Sequence, residues 1–321
     1  MPHATVNPIF RILDGVAGPQ RDDPRYIRYR KDWTACPAAF TTPDFPLHLD
    51  IEASNRCNLD CTFCDRRSHF GREREGNMDL ALYRRIIDEG ASHGLCAVKL
   101  SYRGEPLLHP DLPEMVRYAK KRGVLDVFFN TNGTLLTEAK VHALIDAGLD
   151  RLSVSVEGTD PAAYEAARRG ARFDRVLANL ERLMDIRRAL GVDFPRVRVQ
   201  TVALPHIDLD AYARFWASRC DETAANRCKD TADAPQGLPA PDFACAQLWQ
   251  RMSIEWDGTM HPCNDDNRNL FALGNAADTS LRDAWHAPAV EKAREAHRAG
   301  RSHEFPACAA CSLRALLAED A

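Results

Sequence analysis

The sequence lacks the features that direct a chain into a membrane, out of the cell or onto nucleic acid. It has no apolar run of the roughly 18 residues that a membrane span needs. Its start shows no basic stretch followed by an apolar one, so no secretory signal is visible. Lysine and arginine total 42 against 46 aspartate and glutamate, a net charge of −4 that offers no basic surplus. We therefore expect a cytoplasmic protein that binds neither membranes nor nucleic acid in bulk.

The composition is that of an ordinary globular protein. The 321 residues are 45% hydrophobic and 27% charged, which suits one large core or a core with a small second domain. The 11 cysteines are the unusual feature. Disulfides are rare in the cytoplasm, and an odd number of cysteines cannot all pair. The cysteines therefore need a role other than cross-linking.

Seven of the cysteines fall into two groups. The first group occupies one polar, charged loop as a C-x3-C-x2-C run: Cys57, Cys61 and Cys64. The second group lies in the last third of the chain and ends in a C-x2-C pair: Cys245, Cys263, Cys308 and Cys311. Short spacings of this kind allow several thiolates to reach one metal centre. Both groups are therefore candidate metal sites.

Between the two groups, short β-rich runs alternate with longer helical patterns. Strands are predicted at 46–53, 97–102, 126–132, 151–157 and 196–204, with a weakly marked sixth around 220–229. Helices are predicted at 79–92, 111–122, 137–147, 161–190 and 208–219. Such alternation indicates βαβ units around a parallel sheet. We predict an α/β fold, a partial (β/α)6 barrel of the TIM type, in which the three-cysteine loop follows the first strand.

The ends of the chain have a different character. Asp257-Gly258 predicts a β-hairpin, and a helix is predicted near 280–298. This small unit has too little apolar mass to fold well alone, so a bound metal centre would help to stabilise it. The predicted organisation is an N-terminal arm at 1–45, a core at 46–235 and a small hairpin-plus-helix domain at 236–321.

The cluster loop resembles that of the radical S-adenosylmethionine (radical SAM) superfamily. Three cysteines leave one iron of a [4Fe–4S] cluster without a protein ligand. The spacing matches the loop of that superfamily, with Phe63 at its aromatic position. The resemblance implies a cluster held by three cysteines, with S-adenosylmethionine bound at the open iron. It also implies an electron donor such as flavodoxin or ferredoxin.

Other motifs resemble the family in order along the chain. Residues 102–106 read YRGEP and resemble its GGEP motif, in which the glutamate and adjacent backbone hold the amino group of the cofactor. Asn130 to Gly133 resemble its TNG strand end, and Ser155 falls in a motif similar to S-x-D-G. The resemblance implies a cofactor-binding set of Phe63, Gly104, Glu105, Asn132, Ser155 and Arg169. Taken singly, each motif is also typical of a turn or a solvated helix face.

The late cysteines resemble the auxiliary domain called twitch, a shortened relative of the SPASM domain. That resemblance implies one auxiliary [4Fe–4S] cluster with four protein ligands. Four cysteines including a C-x2-C pair also suit a structural zinc ion, which stays the alternative. His261 is either a spare ligand or, as we expect, a surface residue at the hairpin end.

The resemblance implies an enzyme that cleaves S-adenosylmethionine to a 5′-deoxyadenosyl radical, which removes a substrate hydrogen atom. A fully ligated auxiliary cluster would then oxidise the substrate radical. We expect a dehydrogenase or epimerase of a sugar or aminocyclitol, because the segment before the first strand is too short for a peptide-recognition module. Epimerisation would need a hydrogen donor such as Cys220 or Cys228. The alternatives are a maturase of a ribosomally made peptide and a non-enzymatic Zn- or Fe–S-binding protein with a degenerate core.

Overall fold

The computed structural model describes residues 4–5, 10–15, 22–64, 74–227, 244–266, 269–311 and 313–314. Cys228 lies outside the described residues. Within the described residues the strands are β1 (Ala4–Thr5), β2 (Phe10–Gly15), β3 (His48–Ile51), β4 (Asp60–Cys61), β5 (Ala97–Lys99), β6 (Asp126–Thr131), β7 (Arg151–Ser155), β8 (Arg168–Arg169), β9 (Arg196–Ala203), β10 (Glu222–Arg227), β11 (Ala244–Cys245), β12 (Arg251–Ile254) and β13 (Met260–His261). The α-helices there are α1 (Pro24–Ala38), α2 (Leu80–Ser92), α3 (Leu112–Lys121), α4 (Glu138–Asp146), α5 (Pro161–Ala167), α6 (Phe173–Ala189), α7 (Leu209–Trp216), α8 (Leu281–Trp285), α9 (Pro288–Arg298) and α10 (Pro306–Ala309).

The central feature is a sheet in which the described part of the chain contributes nine strands, in the order β13-β12-β3-β5-β6-β7-β9-β10-β2. The run from β3 to β10 is parallel throughout, and helices α2 to α7 connect its strands. This arrangement confirms the predicted partial barrel. The weakly marked sixth strand is present as β10, which pairs with β9. No described helix is long and apolar enough to cross a membrane.

Local chemistry explains where the barrel elements begin and end. The strands are rich in β-branched residues, and Val98, Val127 and Val154 are completely buried between sheet and helices. Helix α4 begins as predicted after Thr137, whose hydroxyl accepts a hydrogen bond from the Lys140 amide. The apolar faces of sheet and helices thus form one continuous core that holds the strand ends in place.

Two predicted helices are each divided in the structure. The predicted helix 161–190 is interrupted by β8, which pairs with β4 of the cluster loop, and Gly170 then turns the chain with a φ of +93°. The predicted helix near 280–298 divides before Pro288, because a residue that precedes proline disfavours the helical conformation. Both predictions of a single helix were wrong.

The N-terminal segment is built into the barrel rather than only lying on it. Strand β2 pairs antiparallel with β10 and extends the sheet at that edge. Helix α1 packs Tyr26 and Tyr29 against Ala97 of β5. The sequence pattern did not predict this strand, because β2 is short and the exposed Arg11 and Asp14 interrupt its apolar residues.

The C-terminal hairpin also joins the main sheet. Strand β12 pairs parallel with β3, and Arg251 of β12 donates to the buried Asp50 carboxylate at 3.1 Å. The hairpin itself, β12 with β13, forms around Asp257-Gly258 as predicted. A unit with little apolar mass of its own thereby shares the core of the barrel.

Candidate cofactor and cluster sites

The three-cysteine loop lies directly beyond the carboxyl end of β3. Cys61 is buried, whereas Cys57 and Cys64 are half-buried. Burial raises the pKa of the Cys61 thiol to about 11; Cys57 and Cys64 add to this rise, and Arg168 opposes it. Three thiols this close together repel one another as thiolates unless positive charge is supplied. An iron–sulfur cluster supplies that charge, so this donor set fits the predicted cluster.

Arg168 binds the cluster loop from β8. Its Nη1 donates to Cys61 Sγ at 3.9 Å, and its Nη2 donates to Glu157 at 3.0 Å. Its guanidinium also lies 5.5 Å from the centre of the Phe63 ring. The sequence prediction selected the neighbouring Arg169, which is exposed and pairs through its backbone with Asp60. The contact of Arg169 with the cofactor stays a prediction. The sequence analysis did not identify Arg168 as a residue of this site.

Gly104 lies directly against the backbone that leads into the cluster loop. A Cβ atom there would lie 2.2 Å from the Ser54 carbonyl oxygen and 2.6 Å from that of Arg56. The amide of Glu105 donates to the Arg56 carbonyl at 2.7 Å. Only glycine permits this approach. The YRGEP segment and the cluster loop are therefore held together backbone to backbone.

The Glu105 carboxylate joins the ends of two neighbouring strands. It is 2% exposed and accepts hydrogen bonds from Thr131 Oγ1 at 2.7 Å, the Asn132 amide at 2.8 Å and the Leu107 amide at 3.1 Å. Burial raises the pKa of Glu105, although these donors oppose the rise. In this geometry Glu105 positions the loop after β6. Its predicted contact with the amino group of the cofactor stays a prediction.

Asn132 fixes a residue of the cluster loop itself. Its Nδ2 donates to Asn58 Oδ1 at 2.9 Å, and Asn58 Nδ2 donates to Thr134 Oγ1 at 2.9 Å. Asn58 lies between the first two cysteines, so these bonds restrict the conformation of the loop. Ser155, at the end of β7, is half-buried and accepts from Gln200 Nε2 at 3.3 Å. Asn132 directly follows β6, and Ser155 is the last residue of β7, the neighbouring strand of the same sheet.

These residues share one edge of the barrel, since the carboxyl ends of parallel strands meet there. The cluster loop follows β3, the YRGEP segment β5, Asn132 β6 and Glu157 β7. A cofactor bound at the cluster would lie within reach of this edge. The proposed hydrogen donor Cys220, by contrast, directly precedes β10, where its Sγ donates to the Trp216 and Glu222 carbonyls at 3.2 and 3.3 Å. It therefore belongs to the opposite edge.

The four late cysteines line a single cavity. Three separate segments of the chain contribute these cysteines: Cys245 from the first, Cys263 from the second, and Cys308 with Cys311 from the third. Burial, together with the neighbouring thiols, raises the pKa values of Cys245, Cys263 and Cys308 far above the usual range. Four such thiols require a multiply charged cationic group to become thiolates together. Four converging cysteines are a donor set that a four-iron cluster or a single zinc ion can use.

His297 lies between two of these cysteines. The ring is completely buried, its Nδ1 accepts from the Cys245 amide at 3.0 Å, and its Nε2 lies 3.4 Å from Cys308 Sγ. Burial, with the charge of Arg314, lowers the pKa of His297 to about 4. The imidazole is therefore neutral at physiological pH. Sequence reasoning did not identify this residue.

A chain of buried charges connects the YRGEP segment with the C-terminal hairpin. Arg103 binds Glu52 at 2.9 Å and Glu255 at 2.7 Å, and Glu255 contacts His261 at 3.0 Å. His261 also lies 3.4 Å from Asp266. Burial opposes protonation of His261, but Asp266 and Glu255 outweigh it and raise its pKa to about 9. The prediction of a surface histidine was wrong, because these two carboxylates stabilise its charge inside the protein.

A three-cysteine loop at the strand ends of a partial barrel, followed by a four-cysteine site, defines a radical SAM enzyme with an auxiliary iron–sulfur domain. Comparison with family models supports both parts. The model of the radical SAM superfamily matches residues 51–210, and the SPASM model, an iron–sulfur cluster-binding domain, matches residues 245–312. The chain belongs to the radical SAM superfamily and carries a C-terminal domain of the SPASM/twitch type. Its cofactors are S-adenosylmethionine with its [4Fe–4S] cluster and an auxiliary iron–sulfur centre.

Known relatives differ in what they act on. A probable GTP 3′,8-cyclase of Methanococcus maripaludis is 35% identical over 138 residues, which are 42% of this chain and 45% of the relative. The match thus spans less than half of that cyclase. A PqqA peptide cyclase of Ruegeria pomeroyi is 29% identical over 307 residues, covering 83% of this chain and 79% of the relative. The crystal structure of BtrN in complex with AdoMet and 2-DOIA has a TM-score of 0.57 at 20% identity, over 82% of this chain and 92% of that one.

Proposed function

We propose that this enzyme is an oxidoreductase that removes a hydrogen atom and then a further electron from a small polyhydroxylated substrate. The substrate class is a sugar or an aminocyclitol, and the reaction converts a secondary alcohol to a ketone. In that conversion the substrate loses a hydrogen atom, one electron and one proton. When bound, the two clusters and S-adenosylmethionine supply a radical that takes the hydrogen atom and an acceptor for the electron.

The observation that carries the oxidative outcome is the convergence of four cysteines on one cavity. With Cys245, Cys263, Cys308 and Cys311 all lining it, an auxiliary cluster is fully ligated by the protein. A cluster without an open iron has no coordination site for substrate. Electron transfer is the role that such a cluster leaves available.

The N-terminal segment supports a small substrate. Its described residues form an edge strand of the barrel, β2, and a helix, α1, that packs against β5. Neither is arranged as a separate peptide-recognition module. The same fold in BtrN holds AdoMet together with 2-DOIA.

The chain's own residues bind and orient the reactants in this proposal. Cys57, Cys61 and Cys64 hold the first cluster. Gly104 brings the YRGEP backbone against the cluster loop, Glu105 fixes the loop after β6, and Asn132 fixes the cluster loop. We place the enzyme in the cytoplasm, where a small donor such as a flavodoxin or ferredoxin reduces the first cluster.

The decisive experiment is anaerobic incubation of the reconstituted protein with dithionite, S-adenosylmethionine and a panel of sugars and aminocyclitols deuterated at the carbinol carbon. We expect deuterium in 5′-deoxyadenosine and a product lighter than the labelled substrate by one deuterium and one hydrogen atom. Cys57→Ala abolishes both. The double variant Cys308→Ala/Cys311→Ala retains deuterium transfer but loses the ketone, whereas Cys96→Ala, a cysteine outside both sites, retains both products.

Peptide maturation is the second candidate, favoured by the 29% identity to the PqqA peptide cyclase over 83% of the chain. A parallel panel of synthetic peptides distinguishes the two. Formation of 5′-deoxyadenosine that rises only with peptides would overturn the small-molecule proposal in favour of a maturase. Failure of the wild type to cleave S-adenosylmethionine under all conditions would overturn both.

A further inference from the structure

His297 connects two ligands of the auxiliary site that lie far apart in the sequence. Its ring contacts the Cys245 backbone, 52 residues earlier, and the Cys308 side chain, 11 residues later. The ring is 0% exposed, so water does not compete for either contact. It is also the one histidine among the residues that line the four-cysteine cavity within the described chain.

The contacts fix the tautomer of the ring. A backbone amide can only donate, so Nδ1, which accepts from the Cys245 amide at 3.0 Å, carries no proton. The remaining proton of the imidazole is therefore on Nε2, the nitrogen 3.4 Å from Cys308 Sγ. The ring donates to the sulfur and has no free lone pair directed at a metal.

The helix that carries His297 is anchored firmly. Arg294, one turn earlier on α9, is also 0% exposed and donates to the Leu248 and Trp285 carbonyls, both at 2.9 Å. Leu248 belongs to the short helical turn Ala246–Trp249, which directly follows Cys245. These bonds tie the helix to the segment that follows Cys245 and so hold the imidazole beside the Cys245 amide.

We infer that His297 donates a hydrogen bond to the Cys308 ligand of the auxiliary cluster and thereby raises the reduction potential of that cluster. A donor on a ligand sulfur withdraws negative charge and stabilises the reduced, more negative state. A higher potential makes the cluster a better acceptor for the electron that the substrate loses. The inference rests on the proposed cluster at these four cysteines, but not on the identity of the substrate.

The test isolates the auxiliary cluster in the full-length chain. In the background Cys57→Ala/Cys61→Ala/Cys64→Ala, iron content and an EPR-monitored redox titration report on the auxiliary site alone. His297→Leu removes the donor with little change of volume, His297→Gln keeps an N–H donor, and His303→Leu changes an exposed histidine nearby. We expect about four iron atoms per chain in all of them. At the wild-type midpoint, the reduced-to-oxidised ratio should fall roughly three- to tenfold in His297→Leu and recover in His297→Gln.

The alternatives give different results. An unchanged potential in His297→Leu would overturn the inference. If His297 were itself a cluster ligand, both His297→Leu and His297→Gln would lose iron, which would also overturn it. Pulsed EPR of protein containing 15N-histidine decides the case without any variant: a weak coupling supports a hydrogen bond to sulfur, and a strong one indicates direct coordination to iron. Absence of any iron in the triple-cysteine background would refute the auxiliary cluster itself, and with it this inference.

Discussion

Arg103 donates two parallel hydrogen bonds to the Glu52 carboxylate, from Nε to Oε1 at 2.9 Å and from Nη2 to Oε2 at 3.0 Å. Nη2 also reaches Glu255 at 2.7 Å, beyond the end of β12. The guanidinium therefore joins the end of the first barrel strand to the hairpin of the auxiliary domain. It stands where the related motif has its first glycine, so one difference from that motif couples the two cluster-bearing parts of the chain.

Loss of this guanidinium should destabilise the protein strongly. In Arg103→Met the Glu52 and Glu255 carboxylates, 0% and 5% exposed, stay buried without their cation. Breaking a buried ion pair by removal of one partner costs about 3 to 5 kcal/mol. Anaerobic denaturant unfolding measures this loss. Arg117→Met, which removes an exposed pair with Glu114, should cost less than about 1 kcal/mol. Equal losses in the two variants would contradict a structural role for the Arg103 cluster.

Asp50 should make the stability depend on pH at the acid end. Burial disfavours its charged form, but Arg251, Lys99 and His48 outweigh burial and hold the pKa of Asp50 far below its usual value. A depressed native pKa contributes stability that is present above the unfolded pKa of about 3.9 and is lost as the pH falls toward the native pKa. Asp50→Asn should therefore be clearly less stable than wild type at pH 5 to 7, and the difference should shrink below about pH 4.

Unfolding titrations of the iron-free chain at several pH values test this prediction. The matched control is Asp146→Asn, because Asp146 is an exposed aspartate at the end of α4. A surface substitution of this kind should change the free energy of unfolding by less than about 0.5 kcal/mol. A stability difference for Asp50→Asn that stays constant from pH 7 to pH 3 would show that the charge of Asp50 is not responsible.

Gly104→Ala should empty the first site while leaving the second intact. The new Cβ would lie 2.2 Å from the Ser54 carbonyl oxygen, so the backbone leading into the cluster loop has to shift. Iron content should fall from about eight to about four atoms per chain, and S-adenosylmethionine cleavage should be lost. Gly94→Ala is the control, since it introduces a side chain at a φ of +75° with nothing within 4 Å. Full iron content in Gly104→Ala would contradict the proposed close packing.

The sequence predicted what is encoded locally and missed what depends on tertiary contacts. The spacing of Cys57, Cys61 and Cys64 is a property of one loop, so the sequence alone predicts the cluster site. The barrel strands are rich in β-branched residues, so they are also predicted from the sequence. Arg168 was missed because its role depends on Glu157 and on a loop more than a hundred residues earlier. His297 appeared as one more polar residue of an amphipathic helix. Its importance follows only from the packing of α9 against the segment that carries Cys245.

The charge of Arg168 should raise the reduction potential of the first cluster. Its Nη1 lies 3.9 Å from Cys61 Sγ, and a positive charge this close stabilises the more negative reduced state. In Arg168→Gln the cation is removed and the buried Glu157 carboxylate remains. At the wild-type midpoint the reduced-to-oxidised ratio should fall roughly tenfold, which corresponds to about 59 mV for a one-electron couple.

An EPR titration in the Cys308→Ala/Cys311→Ala background measures this shift without the auxiliary signal. The double variant Arg168→Gln/Glu157→Gln removes both charges and should return most of the way to the wild-type potential. Arg172→Gln changes an arginine on the same segment whose side chain is 68% exposed and should leave the potential unchanged. If the double variant shifts as far as Arg168→Gln, the change comes from lost packing around Phe63 rather than from charge. If neither shifts, the electrostatic coupling between Arg168 and the Cys61 ligand is refuted.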